Sequence, residues 1–172
     1  MNLSNLKTPS LVLDLVRVKR NAARMNDIVR IFGVRLRPHI KTHKCIEVAR
    51  IQIAKHSGGI TVSTLAEARA FLAHGFTDIT YAVPIEPGKF AEAITLSRQC
   101  ERLALITADP DIPAPLNHAA SRAGLTLHVF LEVDCGDARG GVRPDSPEAL
   151  KVPLAITAAP NLHFAGILTH AG

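Results

Sequence analysis

One short segment of the chain, residues 37–44 with the sequence RPHIKTHK, concentrates side chains that can do chemistry. If the segment begins as a strand, Arg37, His39 and Lys41 share one face. A lysine that points into a protein interior beside other cations is neutral more often, and its amine can then attack an aldehyde to form a Schiff base. Spacing alone leaves an ordinary basic loop open as the alternative. A metal pair of His39 and His43 is disfavoured, because Pro38 and the strand context argue against a helix that would bring the two rings together.

A glycine-rich segment, residues 132–142, is the second candidate. Its glycines allow tight turns, and Arg139 held there can meet an anionic oxygen of a ligand. A structural turn in which Arg139 pairs with Asp134 or Asp137 remains the alternative. No spacing identifies a base for Cys135, so this cysteine is interpreted as a small buried residue.

The third candidate is His170, within the segment of residues 166–172. A histidine that ends an apolar parallel strand faces the pocket, where it can stack on a flat cofactor or move protons. Taken alone, a structural histidine is the more common case. The three candidates support one another because each follows a strand of a single repeating series.

The elements that would position these side chains alternate between short apolar runs and helical repeats. The pattern predicts a short strand at residues 11–14 and then an amphipathic helix that runs from near Val18 to Gly33. Six further strands are predicted to start at residues 36, 60, 79, 103, 127 and 164. Helices are predicted between them, from residue 46 and at residues 65–74, 90–99, 116–123 and 147–155.

Regular βα alternation predicts a parallel α/β sheet, either doubly wound or closed into a (β/α)8 barrel. The sequence contains neither a GxGxxG motif after its first strand nor a GxxxxGK[ST] loop, so the barrel is favoured. Active sites of such barrels lie at the C-terminal ends of the strands, where all three candidate segments fall. A closed barrel needs eight strands. The six predicted strands therefore indicate one incomplete TIM-type barrel domain, residues 1–172, whose remaining units lie outside this chain.

Charge and cysteine content argue against several classes of protein. The 172 residues carry a net charge of +5, and residues 1–55 hold twelve Lys and Arg against three Asp and Glu. This basic region contains one aromatic residue, Phe32, and much of its charge falls on one helix, so nucleic-acid binding is not expected. Three scattered cysteines indicate reduced thiols rather than disulfides or structural zinc. No signal peptide or membrane span is apparent, which predicts a cytoplasmic protein without a membrane partner.

The motif RPHIKTHK resembles a signature of the D-threonine aldolase and D-serine dehydratase family, whose N-terminal barrel is similar to that of alanine racemase. Residues 8–14, 62–68, 132–142 and 166–172 resemble family segments in the same order, so the resemblance covers essentially the whole chain. It implies the fold of type III pyridoxal 5′-phosphate (PLP) enzymes. It also implies a C-terminal β domain that these 172 residues do not contain.

By this resemblance Lys41 is the Schiff-base lysine, Arg139 meets the ring oxygen of PLP, and His170 lies beside the ring as a catalytic candidate, with His39 as a further cofactor contact. The implied substrate is a D-3-hydroxy amino acid. An aldolase cleaves it to glycine and an aldehyde, whereas a dehydratase expels its hydroxyl group. A divalent metal is implied for the complete enzyme, with ligands outside this chain. An amino-acid racemase and a non-catalytic PLP-binding protein remain alternatives.

Six strands without the rest of the barrel would leave open sheet edges and exposed apolar surface. Two further expectations follow. Activity depends on the units outside this chain, and a homodimer is one way to cover the exposed surface.

Overall fold

The computed structural model describes residues 3–54, 58–136 and 138–171, and in these ranges two α-helices precede a series of five strands that alternate with four further α-helices. The helices are α1 (Leu15–Ile31), α2 (Ile46–Ile53), α3 (Leu65–Leu72), α4 (Phe90–Ser97), α5 (Pro113–Ala123) and α6 (Glu148–Ala158). The strands are β1 (Ile60–Val62), β2 (Asp78–Pro84), β3 (Arg102–Thr107), β4 (Leu127–Glu132) and β5 (Leu162–Leu168). Short 3-10 helices cover Leu3–Asn5, Ile40–Thr42 and Pro87–Lys89.

All five strands are parallel, and they lie side by side in chain order from β1 to β5. Each of the first four strands is followed by one helix, α3 to α6, which returns the chain to the start of the next strand. This is the arrangement of a partial (β/α)8 barrel. The predicted α/β class and the parallel sheet are confirmed.

The hydrophobic core lies between the sheet and its helices. On β4, Leu127, Val129 and Leu131 are buried in this core. Because side chains alternate along a strand, Glu132 at the end of β4 points to the opposite face of the sheet, which is the inner side of the barrel. The alternation therefore separates residues that pack under helices from residues that can form a site.

The strand predicted at residues 11–14 is wrong. The backbone there pairs with no described strand, and Leu11 is fully exposed. Residues with a high strand propensity form a strand only where a neighbouring strand completes their hydrogen bonds and packing. Asp14 instead caps α1, because its Oδ1 accepts a hydrogen bond from Arg17 N at 3.0 Å. The predicted amphipathic helix is confirmed as α1.

Where a strand is predicted to begin at residue 36, the segment contains isolated bridge residues instead, among them His39, which forms a parallel bridge with Thr61. Thr61 N donates to Pro38 O at 2.9 Å, so the segment still runs beside β1. Pro38 has no N–H with which to extend the ladder, and the chain then turns into the 3-10 helix Ile40–Thr42. The segment occupies the position of the first barrel strand without its regular geometry. The other five predicted barrel strands are confirmed.

Strand β5 forms one edge of the sheet in the described part of the chain. Ile167 on this strand is 67% exposed, in line with the predicted open edge. The three cysteines are free thiols, as predicted. None of the helices in the described ranges is both long and apolar enough to span a membrane.

Candidate active site

The three segments singled out from the sequence meet at the C-terminal end of the sheet. Lys41, Arg139 and His170 line one cavity of about 340 Å³, together with Ser63 after β1 and Glu132 at the end of β4. Strand β2 contributes Ala82, Val83 and Pro84 to the wall. Small-molecule sites commonly measure about 300–1,000 Å³. The structure thus brings three of the four predicted site residues into one cavity of suitable size.

Lys41 is placed by a tight turn rather than by a regular strand. It lies in the 3-10 helix Ile40–Thr42, whose first residue, Ile40, is completely buried and anchors the turn. The Nδ1 atom of His39 accepts a hydrogen bond from Lys41 N at 3.3 Å. The side chain of Lys41 itself is exposed and lines the cavity, so its amine is accessible to a ligand.

His39 is absent from the described cavity wall, although it contacts that wall through Ser63. Its Nε2 lies 3.3 Å from Ser63 Oγ. Because Nδ1 accepts a hydrogen bond from the backbone, the neutral ring carries its proton on Nε2 and donates it to Ser63. Partial burial lowers the pKa of His39, and the charge of Lys41 lowers it further. The ring therefore supports the site in its neutral form.

Glu67, near the start of α3, fixes this side of the cavity. Its Oε2 accepts a hydrogen bond from Ser63 N at 2.8 Å, and its Oε1 pairs with Lys44 Nζ at 3.1 Å. Burial acts to raise the pKa of Glu67, but the hydrogen bonds from Ser63 and Lys44 outweigh burial and hold this pKa below its usual value. Glu67 N also donates to Thr64 Oγ1 at 3.0 Å. The spacing of Thr64 and Glu67 is that of a helix capping box, the one signal by which the sequence could have indicated this residue.

The glycine-rich segment after β4 forms a loop that is closed at its base. Asp134 N donates to Val142 O at 2.8 Å. Gly141 permits this close approach, because its φ is +96° and a Cβ there would lie 2.6 Å from the carbonyl carbon of Val133. Arg139 is therefore carried on a loop whose two ends are fixed to the end of β4.

The alternative in which Arg139 pairs with Asp134 does not agree with the structure. Asp134 Oδ1 accepts hydrogen bonds from Gly136 N at 2.9 Å and Ala138 N at 3.1 Å, so this oxygen stabilises the turn itself. Arg139 is exposed and forms no ion pair with any residue that the structure describes. Asp137, the other partner considered, lies outside the described residues.

The interpretation of Cys135 as a buried residue is wrong. Cys135 is exposed, and its Sγ donates to His170 O at 3.3 Å. The regular strand ends at Glu132, so the cysteine belongs to the loop that turns away from the sheet.

The role of Glu132 could not be predicted from the sequence. Its side chain is buried, with 3% of the residue exposed, yet it lines the cavity. Its Oε1 accepts a hydrogen bond from His170 Nδ1 at 2.8 Å. A carboxylate oxygen can only accept, so Nδ1 carries a hydrogen and Nε2 of the neutral ring keeps a free lone pair. Glu132 thereby sets both the tautomer and the orientation of His170.

Arg37 does not share the site with Lys41. Its guanidinium binds the two carboxylate oxygens of Asp78, at 2.9 and 2.8 Å, at the start of β2. Arg102, at the start of β3, binds the same carboxylate. These residues lie at the N-terminal end of the strands, opposite the cavity. The expectation that Arg37 shares one face with Lys41 in the site is therefore wrong.

Metal ligation receives no support from the described part of the chain. There, no group of three or more His, Cys, Asp and Glu side chains is arranged to hold a metal ion. His39 contacts Ser63, whereas His43 Nε2 contacts Gln52 Oε1 at 2.9 Å. The two histidines considered as a metal pair thus have separate partners.

Comparison with known families gives one match that covers most of the chain. Residues 13–172 match the family Alanine racemase, N-terminal domain. Over 99% of its length the chain is 40% identical to D-threo-3-hydroxyaspartate dehydratase from Delftia sp. (strain HT23) and 36% identical to D-threonine aldolase from Arthrobacter sp.. Each match covers 45% of the relative, so the chain spans less than half the length of these proteins.

Solved structures give the same picture. The Delftia dehydratase matches 96% of this chain with a TM-score of 0.91 at 39% identity, over 44% of its own length. D-threonine aldolase from Filomicrobium marinum matches 96% of the chain with a TM-score of 0.88 at 32% identity, again over 44% of its length. Alanine racemase from Clostridium difficile 630, at 18% identity and a TM-score of 0.74, covers 93% of this chain and 43% of its own, and it supports the fold alone.

Proposed function

Since the chain belongs to the alanine racemase N-terminal domain family, we propose that it is the barrel part of a PLP-dependent lyase that acts on D-3-hydroxy amino acids. The observation that carries the proposal is the convergence of Lys41, Arg139 and His170 on one cavity. The relatives at 33 to 40% identity are named for D-threo-3-hydroxyaspartate, 3-hydroxy-D-aspartate, D-serine and D-threonine. An amino group and a hydroxyl group on adjacent carbons are common to all four substrates.

The side chains of the cavity suit PLP, the cofactor of this family. PLP presents an aldehyde, an anionic ring oxygen and a flat ring. Lys41 offers an accessible amine, Arg139 offers a guanidinium without an ion pair among the described residues, and His170 offers a ring of fixed orientation. Within the described structure, Oε2 of Glu132 is buried without a hydrogen-bond partner. Buried polar atoms in proteins normally have a partner, so this oxygen fits a cavity that binds a polar ligand.

Lys41, His170 and Glu132 would have different roles in the reaction. When bound, PLP supplies an electron sink for charge that develops on the substrate's α-carbon. Lys41 would hold the cofactor, and its free amine can hold or give a proton. His170 Nε2 can accept a proton inside the cavity, and the carboxylate of Glu132 compensates the charge that the ring then carries.

A lyase is better supported than the racemase alternative. The lyase relatives at 33 to 40% identity match 99 to 100% of this chain, whereas alanine racemase from Desulfovibrio desulfuricans matches 74% of it at 30% identity. Aldolases and dehydratases both occur among the lyase relatives. Both reactions are therefore kept within the proposal.

The proposal includes a divalent metal that binds the hydroxyl group of the substrate. Such an ion would lower the pKa of the hydroxyl group or stabilise its departure. Since the described residues provide no metal site, its ligands are expected elsewhere in the protein.

The proposal is tested by adding PLP and a divalent metal ion to the purified complete protein and assaying D-threonine, D-serine and D-threo-3-hydroxyaspartate. The L-enantiomers serve as controls. Glycine and an aldehyde identify an aldolase, whereas an oxo acid and ammonium identify a dehydratase. Conversion of D-alanine to L-alanine without these products would contradict a lyase, and a protein that binds no PLP would contradict the proposal as a whole.

A further inference from the structure

Half of the Glu132 carboxylate has no assigned role. Oε1 accepts the hydrogen bond from His170, whereas Oε2 is buried and has no hydrogen-bond partner in the described part of the chain. A buried carboxylate oxygen without a partner loses its hydration without compensation. The cavity wall therefore contains one unsatisfied acceptor at a defined position.

A complementary donor lies on the same wall. Arg139 lines the cavity together with Glu132 and forms no ion pair with the residues that the structure describes. A guanidinium group carries five N–H donors in a planar fork that matches a carboxylate. Lys44 and Arg143, which lie near these residues in the sequence, are already paired with acids of their own. Lys41, the other cation on this wall, is the residue proposed to hold the cofactor. Arg139 is thus the cation that remains available to Oε2 when the cavity is loaded.

Gly140 brings the donor and the acceptor close together. A Cβ at this position would lie 3.3 Å from Oε1 and 3.5 Å from Oε2 of Glu132, so the backbone next to Arg139 packs directly against the carboxylate. The bridge between Val133 and Val142 fixes the base of the same loop. Arg139 can therefore reach Oε2 by rotation about its own side-chain bonds, without movement of the sheet.

We propose that Glu132 is a positioning residue that holds Arg139 and His170 together when the cavity is loaded. In this arrangement the guanidinium of Arg139 binds Oε2 while His170 stays on Oε1. Charge-assisted hydrogen bonds of this kind are short and directional, so one rigid carboxylate would set the position of both cofactor contacts. The remaining N–H donors of Arg139 stay available for an anionic oxygen of the cofactor. The inference rests on the proposed function, because PLP is the group that loads the cavity.

A double-mutant cycle on PLP affinity tests this coupling, with affinity measured by titration of the cofactor absorbance. Glu132→Gln keeps an acceptor for His170 but removes the charge that attracts Arg139. Glu132→Gln and Arg139→Ala are each expected to weaken PLP binding about 10- to 100-fold, the scale of a charged hydrogen bond. The double variant should bind no more weakly than Arg139→Ala alone, because the two residues act as one unit.

Arg143→Ala is the matched control. Arg143 lies near Arg139 in the sequence, pairs with Asp145 at 2.8 Å and is not part of the cavity wall. PLP affinity should stay unchanged in this variant. It should also stay unchanged when Arg143→Ala is added to Glu132→Gln.

Three results would overturn the inference while leaving the proposed function intact. First, the factors by which Glu132→Gln and Arg139→Ala each weaken PLP binding could multiply in the double variant, which would show that the two residues act independently. Glu132→Gln could raise the KM of the substrate at unchanged PLP affinity, which would assign Oε2 to the substrate's ammonium group. The nitrogen NMR signals of His170 could show that Glu132→Gln moves the ring hydrogen to Nε2. The weaker PLP binding of Glu132→Gln would then be explained by the changed tautomer of His170 and not by Arg139. A wild-type protein that binds no PLP would instead contradict the proposed function itself.

A second measurement follows Arg139 directly. Hydrogen exchange of the Arg139 side-chain Nε–H, followed by NMR, should slow when PLP is added to the wild-type protein, and it should slow less in Glu132→Gln. Equal slowing in the two proteins would show that the cofactor alone holds Arg139, and the inference would be wrong.

Discussion

His170 Nδ1 donates a 2.8 Å hydrogen bond to Glu132 Oε1, and this bond joins the segment after β5 to the last residue of β4. The two residues are 38 positions apart in the sequence. They meet because β4 and β5 are parallel neighbours whose C-terminal ends lie at the same edge of the sheet. The bond therefore links the pairing of these strands to the geometry of the candidate site.

Replacement of His170 by Ala should destabilise the protein. The buried Glu132 carboxylate loses its hydrogen-bond donor, which should lower the free energy of unfolding by about 1–3 kcal/mol in urea denaturation. His118→Ala removes an exposed histidine on α5 and serves as the control, with an expected change within about 0.5 kcal/mol. Equal losses in the two variants would mean that the hydrogen bond to Glu132 does not stabilise the fold.

Lys41 and Lys44 should differ completely in cofactor attachment. Borohydride reduction of the PLP-loaded protein should fix the cofactor on Lys41, and Lys41→Ala should abolish this label. Lys44→Ala should retain it, because Lys44 Nζ is paired with Glu67 and does not line the cavity. Mass spectrometry of the labelled peptide locates the attachment. A label on Lys44 in the Lys41→Ala protein would show that the wrong lysine has been assigned.

The order of helices and strands could be predicted from the sequence because it depends on local patterns. Apolar residues repeat at helical spacing in α1, and short apolar runs mark β3 and β4. Lys41, Arg139 and His170 could be placed in one site because a parallel sheet gathers the segments that follow its strands. These predictions needed no knowledge of specific side-chain contacts.

The predictions that failed depended on contacts between distant residues. A strand at residues 11–14 requires a partner strand that the local sequence does not specify. The pairing of Arg37 with Asp78 removes a cation from the neighbourhood of Lys41, yet these residues are 41 positions apart. In the sequence, Glu132 is only the residue that ends an apolar run. Its role could be recognised only from the structure, in which His170 forms a hydrogen bond with it.

Gly140 should tolerate no side chain without a loss of cofactor affinity. A Cβ would lie 3.3 Å from Glu132 Oε1, closer than ordinary van der Waals contact, and the bond to His170 restrains the carboxylate from moving. Gly140→Ala should therefore weaken PLP binding about fivefold, which corresponds to overpacking of about 1 kcal/mol. Titration of the cofactor absorbance measures the change.

The matched control for this substitution is Gly88→Ala. Gly88 is exposed in the 3-10 helix Pro87–Lys89, and a Cβ there would meet nothing within 4 Å. PLP affinity should not change in Gly88→Ala. If Gly140→Ala binds PLP as tightly as Gly88→Ala, the carboxylate can shift without affecting the site.

His39 should make the protein less stable in acid. Its pKa lies below the ordinary value of 6.5, mainly because partial burial disfavours the charged ring and also because Lys41 is close. The unfolded chain therefore takes up this proton at a higher pH than the folded protein does. Stability should fall as the pH drops through about 6.5 toward the lower pKa of the folded state. In His39→Gln this contribution is absent, so the free energy of unfolding should decline less steeply between about pH 7 and pH 5.

The pKa of His128 is also lowered, first by burial and then by His163, so part of the acid dependence should remain in His39→Gln. A variant that carries His39→Gln and His128→Gln together should have the shallowest pH dependence, and urea denaturation at each pH measures all three slopes. Identical slopes in wild type and His39→Gln would show that His39 titrates alike in the folded and unfolded states.

Protonation of His39 Nδ1 would also remove the hydrogen-bond acceptor for Lys41 N. PLP affinity in the wild-type protein should consequently decline over the same range of pH, and more steeply than in His39→Gln.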